Sequence, residues 1–73
     1  MKKILIIDNS IVIRSVIRNL FVDNQRLIVF EANSKEETEK LIKEHDFFVV
    51  ISNLFLNDSP NYEILDLLEK ENI

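Results

Sequence analysis

The sequence contains no cysteine and no glycine, and it has one proline among its 73 residues. Without cysteine, no disulfide can stabilise a chain whose length is near the limit at which a single hydrophobic core is marginal. Without glycine, tight turns need another residue for left-handed backbone geometry, and asparagine is the usual one. We therefore expect such a residue among Asn24, Asn33, Asn57 and Asn61.

Long apolar runs and a basic surface are missing as well. The first apolar run, residues 4–7, has no small-residue cleavage site after it, which argues against a secretory signal or a membrane span. A net charge of −4 without a clustered basic face argues against nucleic-acid binding. The composition, 47% hydrophobic and 30% charged, is that of an ordinary globular chain. We expect one domain over residues 1–73, located in the cytoplasm.

The first apolar run stops abruptly at Asp8, Asn9 and Ser10. Such a run predicts a strand that is buried on both faces of a parallel sheet. A strand of this kind delivers its last residues to the carboxyl edge of the sheet, where open α/β folds bind their ligands. Asp8 is therefore a candidate for chemistry, although all three polar residues also suit the start of a helix. The two roles are compatible at one strand-to-helix junction.

Two more apolar runs, at residues 27–30 and 47–51, predict a second and a third strand. Between the first two strands, residues 11–21 carry apolar side chains at helical spacing and leave Arg14, Arg18 and Asn19 for solvent. The apolar arc of this helix is wider than the stripe of roughly 100° that covers one sheet face. We therefore expect something besides the sheet to contact this helix.

Capping residues predict where the other two helices begin. Ser34, with Glu37 three residues later, matches a capping box. Pro60 suits the first position of a third helix, with Ser59 as its N-cap. Three strands that are each followed by a helix form a βαβαβα unit, and right-handed crossovers make its strands parallel.

Residues 4–10, together with the helix at residues 12–20, resemble the start of the receiver domain of bacterial response regulators, the CheY-like family. Residues 49–56 resemble the third strand and the phosphoacceptor loop of that family. The likeness keeps the element order and spacing through all 73 residues. It implies a three-layer α/β fold with a three-stranded parallel sheet in the order 2-1-3, which is half of the CheY-like or flavodoxin-like fold.

The resemblance places the phosphorylation site of the family on positions where this sequence differs. Receivers have two adjacent acids after the first strand, which bind a divalent cation, and an aspartate after the third strand, which accepts the phosphoryl group. The corresponding residues here are Asp8, Asn9 and Asn53. An amide is a poor nucleophile, so we expect no acyl phosphate at Asn53 and no catalytic residue in the chain.

Magnesium binding is expected to be weak or absent for the same reason. Hard cations are held chiefly by anionic oxygens, and one carboxylate remains where the family has three. The family's further contact to the metal is a backbone carbonyl two residues after the phosphoacceptor, which corresponds to Phe55. The metal ligands implied by the resemblance are thus Asp8, Asn9 and the Phe55 carbonyl, and no other cofactor is expected.

A receiver continues after its third helix into two further strands and helices, which carry a hydroxyl residue and a lysine. Residues 71–73 resemble the approach to that fourth strand, so we expect a chain truncated relative to the family. Truncation would expose the edge of the third strand and part of the first helix. The expected interface residues are Phe48, Val49, Val50 and Ile51. We expect a homodimer through this edge, or association with another protein.

The sequence thus predicts a truncated receiver-like module in two-component, or phosphorelay, signal transduction. It would not be phosphorylated, would not be an enzyme, and would act through protein–protein association. One alternative is that the chain is the N-terminal fragment of a longer response regulator. A second alternative is a phosphotransfer enzyme of the haloacid-dehalogenase kind that uses Asp8 as the phosphoryl acceptor. In that case the acid expected two residues later is replaced by Ser10.

Overall fold

The computed structural model of the chain describes residues 1–71, so the predicted approach to a fourth strand over residues 71–73 lies largely outside the described residues. The elements in chain order are β1 (Lys2–Ile7), α1 (Ile11–Asn19), β2 (Leu27–Ala32), α2 (Lys35–Glu44), β3 (Val49–Ser52) and α3 (Glu63–Lys70). Strand β1 pairs in parallel with both of the others, so the sheet order is β2-β1-β3. The predicted α/β fold with a parallel sheet in the order 2-1-3 is therefore confirmed.

The register of the sheet decides which side chains share a face. Ile4 pairs with Val49 and Ile6 pairs with Ile51, while Leu5 pairs with Val50. Successive side chains of a strand point to opposite faces. Ile4, Ile6, Val49 and Ile51 therefore lie on one face, which we call the α1 face, and Leu5, Ile7 and Val50 lie on the other.

The main hydrophobic core fills the face opposite α1. Its buried side chains come from β1, from the end of β2, from the β3–α3 loop and from α3. They are Leu5, Ile7, Ala32, Leu56, Ile64 and Leu68. Leu41 and Ile42 of α2 pack against this cluster, so α2 and α3 cover the face together. Each fully buried aliphatic side chain of this size contributes about 1.5–3 kcal/mol, which makes this cluster the main source of stability.

Helix α1 covers Ile4 and Ile6 on the other face, yet none of its own residues is buried. Its apolar side chains are largely uncovered, with Val12 66% and Val16 58% exposed. The apolar arc predicted from the sequence is thus present, and among residues 1–71 nothing covers most of it. The helix is also shorter than predicted because it ends at Asn19 and the chain then forms a turn.

The start of α2 was predicted correctly, and the start of α3 was not. Ser34 is the N-cap of α2, and its hydroxyl accepts the Glu37 N–H. Helix α3 begins three residues later than predicted, after Tyr62, which is in the left-handed region with φ = 64°. Tyr62 is the one described residue with positive φ, so the expectation of a left-handed asparagine was wrong.

Ser59 nevertheless stabilises the start of α3, although it lies four residues before the helix begins. Its buried hydroxyl accepts the Ile64 N–H at 2.7 Å. This bond satisfies one of the free donors of the first helical turn, as an N-cap side chain would. Pro60 lies in the preceding turn instead of the helix. Within residues 1–71 the structure has no helix with the length and apolarity that crossing a membrane requires.

Candidate functional site

The predicted site residues follow β1 and β3 at the same edge of the sheet. Ile7 and Ser52 are register partners at the ends of these strands, and the Asn53 N–H donates to the Ile7 carbonyl at 2.8 Å. Asp8 and Asn53 therefore come directly after two neighbouring parallel strands, at the carboxyl edge. This is the position at which open α/β sheets bind ligands.

The Asp8 carboxylate helps to hold the turn between β1 and α1. Its Oδ1 accepts the Ser10 N–H at 2.9 Å, and the Ser10 hydroxyl in turn accepts the Ile13 N–H at 3.2 Å. Ser10 is therefore the N-cap of α1, and Asp8 positions the capping residue. The second oxygen of Asp8 has no hydrogen-bond partner among the described residues.

Asn9 links this turn to the next one at the carboxyl edge. Its Nδ2 donates to the Asn33 carbonyl at 2.7 Å, between the β1–α1 and β2–α2 loops. An aspartate at this position has no N–H to donate, so the amide makes a bond that a carboxylate would not make. Asn9 thus has a structural role that accounts for an amide at residue 9.

Asn53 forms a local turn of its own. Its Oδ1 accepts the Phe55 N–H at 2.9 Å, which is a side-chain turn typical of asparagine and aspartate. The Phe55 ring is exposed and lies 4.8 Å from the ring of Tyr62, measured between centroids. The side-chain oxygen at the phosphoacceptor-equivalent position is therefore already bound to the backbone of the loop.

These residues do not fit a strong magnesium site. Asp8 provides the single carboxylate of the predicted ligand set, and one of its oxygens is bound to a backbone N–H. The Asn53 oxygen is also bound, and magnesium prefers anionic oxygens in octahedral geometry. In the part of the chain that the structure describes, no three acidic, histidine or cysteine side chains are grouped to hold a metal ion.

Asp58, in the β3–α3 loop, is the carboxylate at this edge that the sequence did not single out. Its Oδ1 accepts the Lys35 N–H at 2.8 Å and its Oδ2 accepts the Glu36 N–H at 2.9 Å. Burial acts to raise the pKa of Asp58, but these two backbone hydrogen bonds, together with the N–H of Asp58 itself and the charge of Lys35, lower the pKa below the ordinary value of 3.8. Together with Ser34, Asp58 satisfies the first three N–H groups of α2.

A shallow cleft of about 300 Å³ lies beside these loops. Its walls are polar and come from the loops after β1, β2 and β3, namely Asn9, Asn33, Ser34, Glu36, Asn57 and Asp58. Asp8 and Asn53 do not line it. The positive end of the α2 dipole, which would otherwise attract an anion into such a cleft, is already neutralised by Asp58. The cleft therefore has no built anion site.

Glu31 anchors α1 to β2 near the same edge. Its carboxylate pairs with Arg14 at 2.8 Å and with Arg18 at 2.6 Å. Arg14 also donates to the Asp8 carbonyl at 2.6 Å, and its side chain is 12% exposed. The prediction that Arg14 faces solvent was therefore wrong. The pattern of α1 could not show this, because the partner carboxylate lies on another element.

Of the predicted interface residues, Val49, Val50 and Ile51 lie on the edge strand β3, and Phe48 directly precedes it. Phe48 is 61% exposed and Val49 is 37% exposed, while Val50 and Ile51 are half-buried. Lys2 places its Nζ 3.9 Å from the centroid of the Phe48 ring. Strand β3 pairs with β1 alone among the described residues, so its other edge is open.

Comparison with models of protein families, with characterised proteins and with solved structures gives no significant match. The resemblance to receivers therefore stays a prediction from the sequence.

Proposed function

We propose that this chain is a receiver-like module that accepts no phosphoryl group and acts in two-component signal transduction by binding protein. The observation that carries the proposal is the uncovered apolar side of α1. A helix that packs on a sheet with no buried residue of its own leaves a large apolar surface in water. Exposed apolar surface of this extent is typical of protein interaction sites.

The carboxyl edge supports the part of the proposal that excludes phosphoryl transfer. The residue after β3 is an amide whose oxygen is bound by the Phe55 N–H, and the residue after Asp8 is an amide that donates to Asn33. Phosphoryl transfer to a side chain needs a nucleophilic oxygen and cations that stabilise the developing charge. The position after β3 offers no nucleophilic oxygen, and among the described residues no three acidic, histidine or cysteine side chains are grouped to hold a metal ion beside Asp8.

Magnesium, other cofactors and nucleic acid have no role in the proposed function. The cytoplasmic location stays a prediction from composition and from the first apolar run. The proposed partner is a protein with an apolar surface, and a second copy of the chain meets that description.

Phosphoryl uptake tests the chemical part of the proposal. The chain is incubated with a small acyl phosphate and Mg²⁺, and its intact mass is measured under conditions that preserve acyl phosphates. We expect no gain in mass. A gain of one phosphoryl group, mapped to Asp8, would overturn the proposal in favour of an enzyme with an aspartyl intermediate.

The variant Asn53→Asp provides the sharper comparison. It places a carboxylate after β3, but Asp8 is still the single acid after β1 because residue 9 is an amide. A metal ion and the developing charge would therefore still be poorly stabilised. We expect this variant to stay unmodified under the same conditions. Efficient phosphorylation of Asn53→Asp would show that the rest of the site is competent, which contradicts the proposal.

A further inference from the structure

We infer that the binding partner is a second copy of this chain, joined through antiparallel pairing of the free edges of β3. The inference rests on the proposed function, because it specifies the protein partner. The two strands would make one continuous six-stranded sheet with a two-fold axis perpendicular to it. Four observations carry it: the state of each sheet edge, the apolar side chains beside β3, the alternation along β3, and the charges at its two ends.

The two edges of the sheet differ in how they are protected. On β2, the Arg18 guanidinium donates to the Val29 carbonyl at 3.3 Å. The Lys2 N–H bonds the Arg26 carbonyl and the Asp8 N–H bonds the Ala32 carbonyl, so even-numbered β2 carbonyls face β1. The Val29 carbonyl therefore faces the free edge, where Arg18 covers it. Covering of this kind is a common protection against edge pairing.

The β3 edge has no such protection. Its sequence is Val49-Val50-Ile51-Ser52, without a charge or a proline. Among residues 1–71, no side chain hydrogen-bonds the backbone of this strand. An uncharged edge rich in β-branched residues is a template for pairing with another strand.

Apolar side chains flank this edge on both faces of the sheet. On α1, Arg14 and Arg18 point towards β2, so the exposed residues on the opposite side of that helix, which include Val12 and Val16, lie on the side of β3. On α3, Leu67 lies on the side that lines a cleft with α2, and Leu65, which is 41% exposed, points the other way.

Helix α2 packs on β2, so the side of α3 that faces away from α2 and carries Leu65 is the side of β3. The uncovered apolar surface is thus centred on the β3 edge.

The alternation along β3 fixes the register of the pairing. A two-fold axis perpendicular to the sheet keeps each face on its own side, so opposite residues must point to the same face. Val49 and Ile51 share the α1 face, and Val50 points to the other. The register that pairs apolar residues places Val50 opposite Val50 of the second copy, and Val49 opposite its Ile51.

Charge complementarity favours a second copy over an unrelated apolar partner. At the start of β3, Lys2 lies over Phe48, and Phe48 donates its N–H to Lys3. At the end of β3, Asn53 bonds Ile7, the residue before Asp8. Antiparallel pairing brings Lys2 of each copy towards Asp8 of the other, while the exposed Asp46 lies before the paired residues 49–51. The attraction occurs twice because of the two-fold symmetry.

Sedimentation equilibrium of the 73-residue chain tests the inference, with two matched variants. Val49→Lys puts a cation on the β3 edge, and Ile28→Lys puts one on β2 at a side chain that is equally exposed, 37% in both cases. We expect the parent and Ile28→Lys to be dimers. For Val49→Lys we expect a dissociation constant raised at least about tenfold.

A disulfide reports the register directly. The chain has no cysteine, so Val50→Cys introduces a single thiol that the register places opposite itself. Opposite residues of antiparallel strands have Cβ atoms about 4.5–5.5 Å apart, and a disulfide spans about 3.5–4.5 Å, so a small local shift of the strands brings the two thiols within bonding reach. We expect Val50→Cys to form a disulfide-linked dimer under mild oxidation, and Ile28→Cys at the same concentration to stay unlinked.

The inference is overturned if the parent chain is monomeric up to millimolar concentration, or if Ile28→Lys dissociates the dimer as strongly as Val49→Lys. Equal cross-linking of the two cysteine variants would overturn it too. A monomer that takes up no phosphoryl group removes the homodimer and leaves the proposed function standing. A dimer that is phosphorylated contradicts the proposed function and leaves the homodimer standing.

Discussion

The carboxylate of Asp58 joins the β3–α3 loop to the first turn of α2. It accepts two N–H groups, from Lys35 and Glu36, that are 23 and 22 residues away in sequence. Ser34 supplies the local cap of the same helix. Removing Asp58 therefore takes away a cap and a link between two loops at once.

We expect Asp58→Asn to lower the free energy of unfolding by about 1 kcal/mol at neutral pH, the usual size of a lost capping interaction. Because the folded-state pKa of Asp58 is lowered, its contribution is complete above the ordinary value of 3.8 and is lost as the pH falls through the folded-state pKa. The difference between parent and variant should therefore shrink in acid. Urea denaturation at pH 7 and pH 3 measures both effects.

The control for this prediction is Asp23→Asn, a change at an exposed carboxyl in the connection between α1 and β2. It should leave the free energy of unfolding nearly unchanged at both pH values. If Asp58→Asn changed the free energy of unfolding as little as Asp23→Asn, the two hydrogen bonds to α2 would contribute nothing to stability.

Tyr62 adopts a left-handed conformation that most residues with a Cβ avoid, at a cost of about 1–2 kcal/mol. We expect Tyr62→Gly to be more stable than Tyr62→Ala by about 1 kcal/mol, because both lose the ring while alanine alone keeps the Cβ. At Leu65, an exposed position inside α3, the order should be reversed because glycine is the poorer helix former. Thermal or urea denaturation of the four variants measures the two differences, and the same order at both sites would contradict the left-handed assignment.

At the scale of elements, α1 depends on polar contacts to an unusual degree. None of its residues is buried, and the contacts to Glu31 through Arg14 and Arg18 tie it to β2. Burial acts to raise the pKa of Glu31, but the hydrogen bonds and charges of the two arginines outweigh it and lower the pKa below 4.5. The carboxylate therefore stays charged throughout the neutral range.

We expect Glu31→Gln to lower the free energy of unfolding by about 0.5–1 kcal/mol, a modest value because the pairs are partly exposed and screened. The loss should be smaller in molar salt, which already weakens the pairs in the parent chain. Amide hydrogen exchange should accelerate in α1 more than in α2. The matched control is Glu69→Gln, at an exposed acid of α3, which should change neither exchange nor stability.

Helix starts show which part of an element a sequence can predict. The N-cap of α2 was predicted because Ser34 and Glu37 are three residues apart, so the contact is local. The Glu37 side chain accepts the N–H of Asn33, one residue before the cap. The second cap of the same helix, from Asp58, and the partner of Arg14, Glu31, lie on other elements. At α3 the sequence identified Ser59 as a capping residue but not the turn through Tyr62 that delays the helix.

At the scale of the whole molecule, the strand order followed from the sequence because three apolar runs alternate with helical patterns. The radius of gyration, 11.7 Å, is close to the value of about 11 Å expected for a compact chain of this length.

The candidate site was predictable in its position at the carboxyl edge. The partners of its side chains were not, because the bonds of Asn9 to Asn33 and of Asp58 to α2 depend on how three loops meet.

The contact between Arg18 and the Val29 carbonyl limits how far the proposed assembly can grow. When two copies join through β3, the outermost strands of the combined sheet are both β2, and each carries its own arginine. Every further addition would have to displace a guanidinium from a carbonyl that it already occupies. The Arg18 side chain on each outer β2 therefore disfavours growth of the assembly beyond two copies by edge-to-edge pairing.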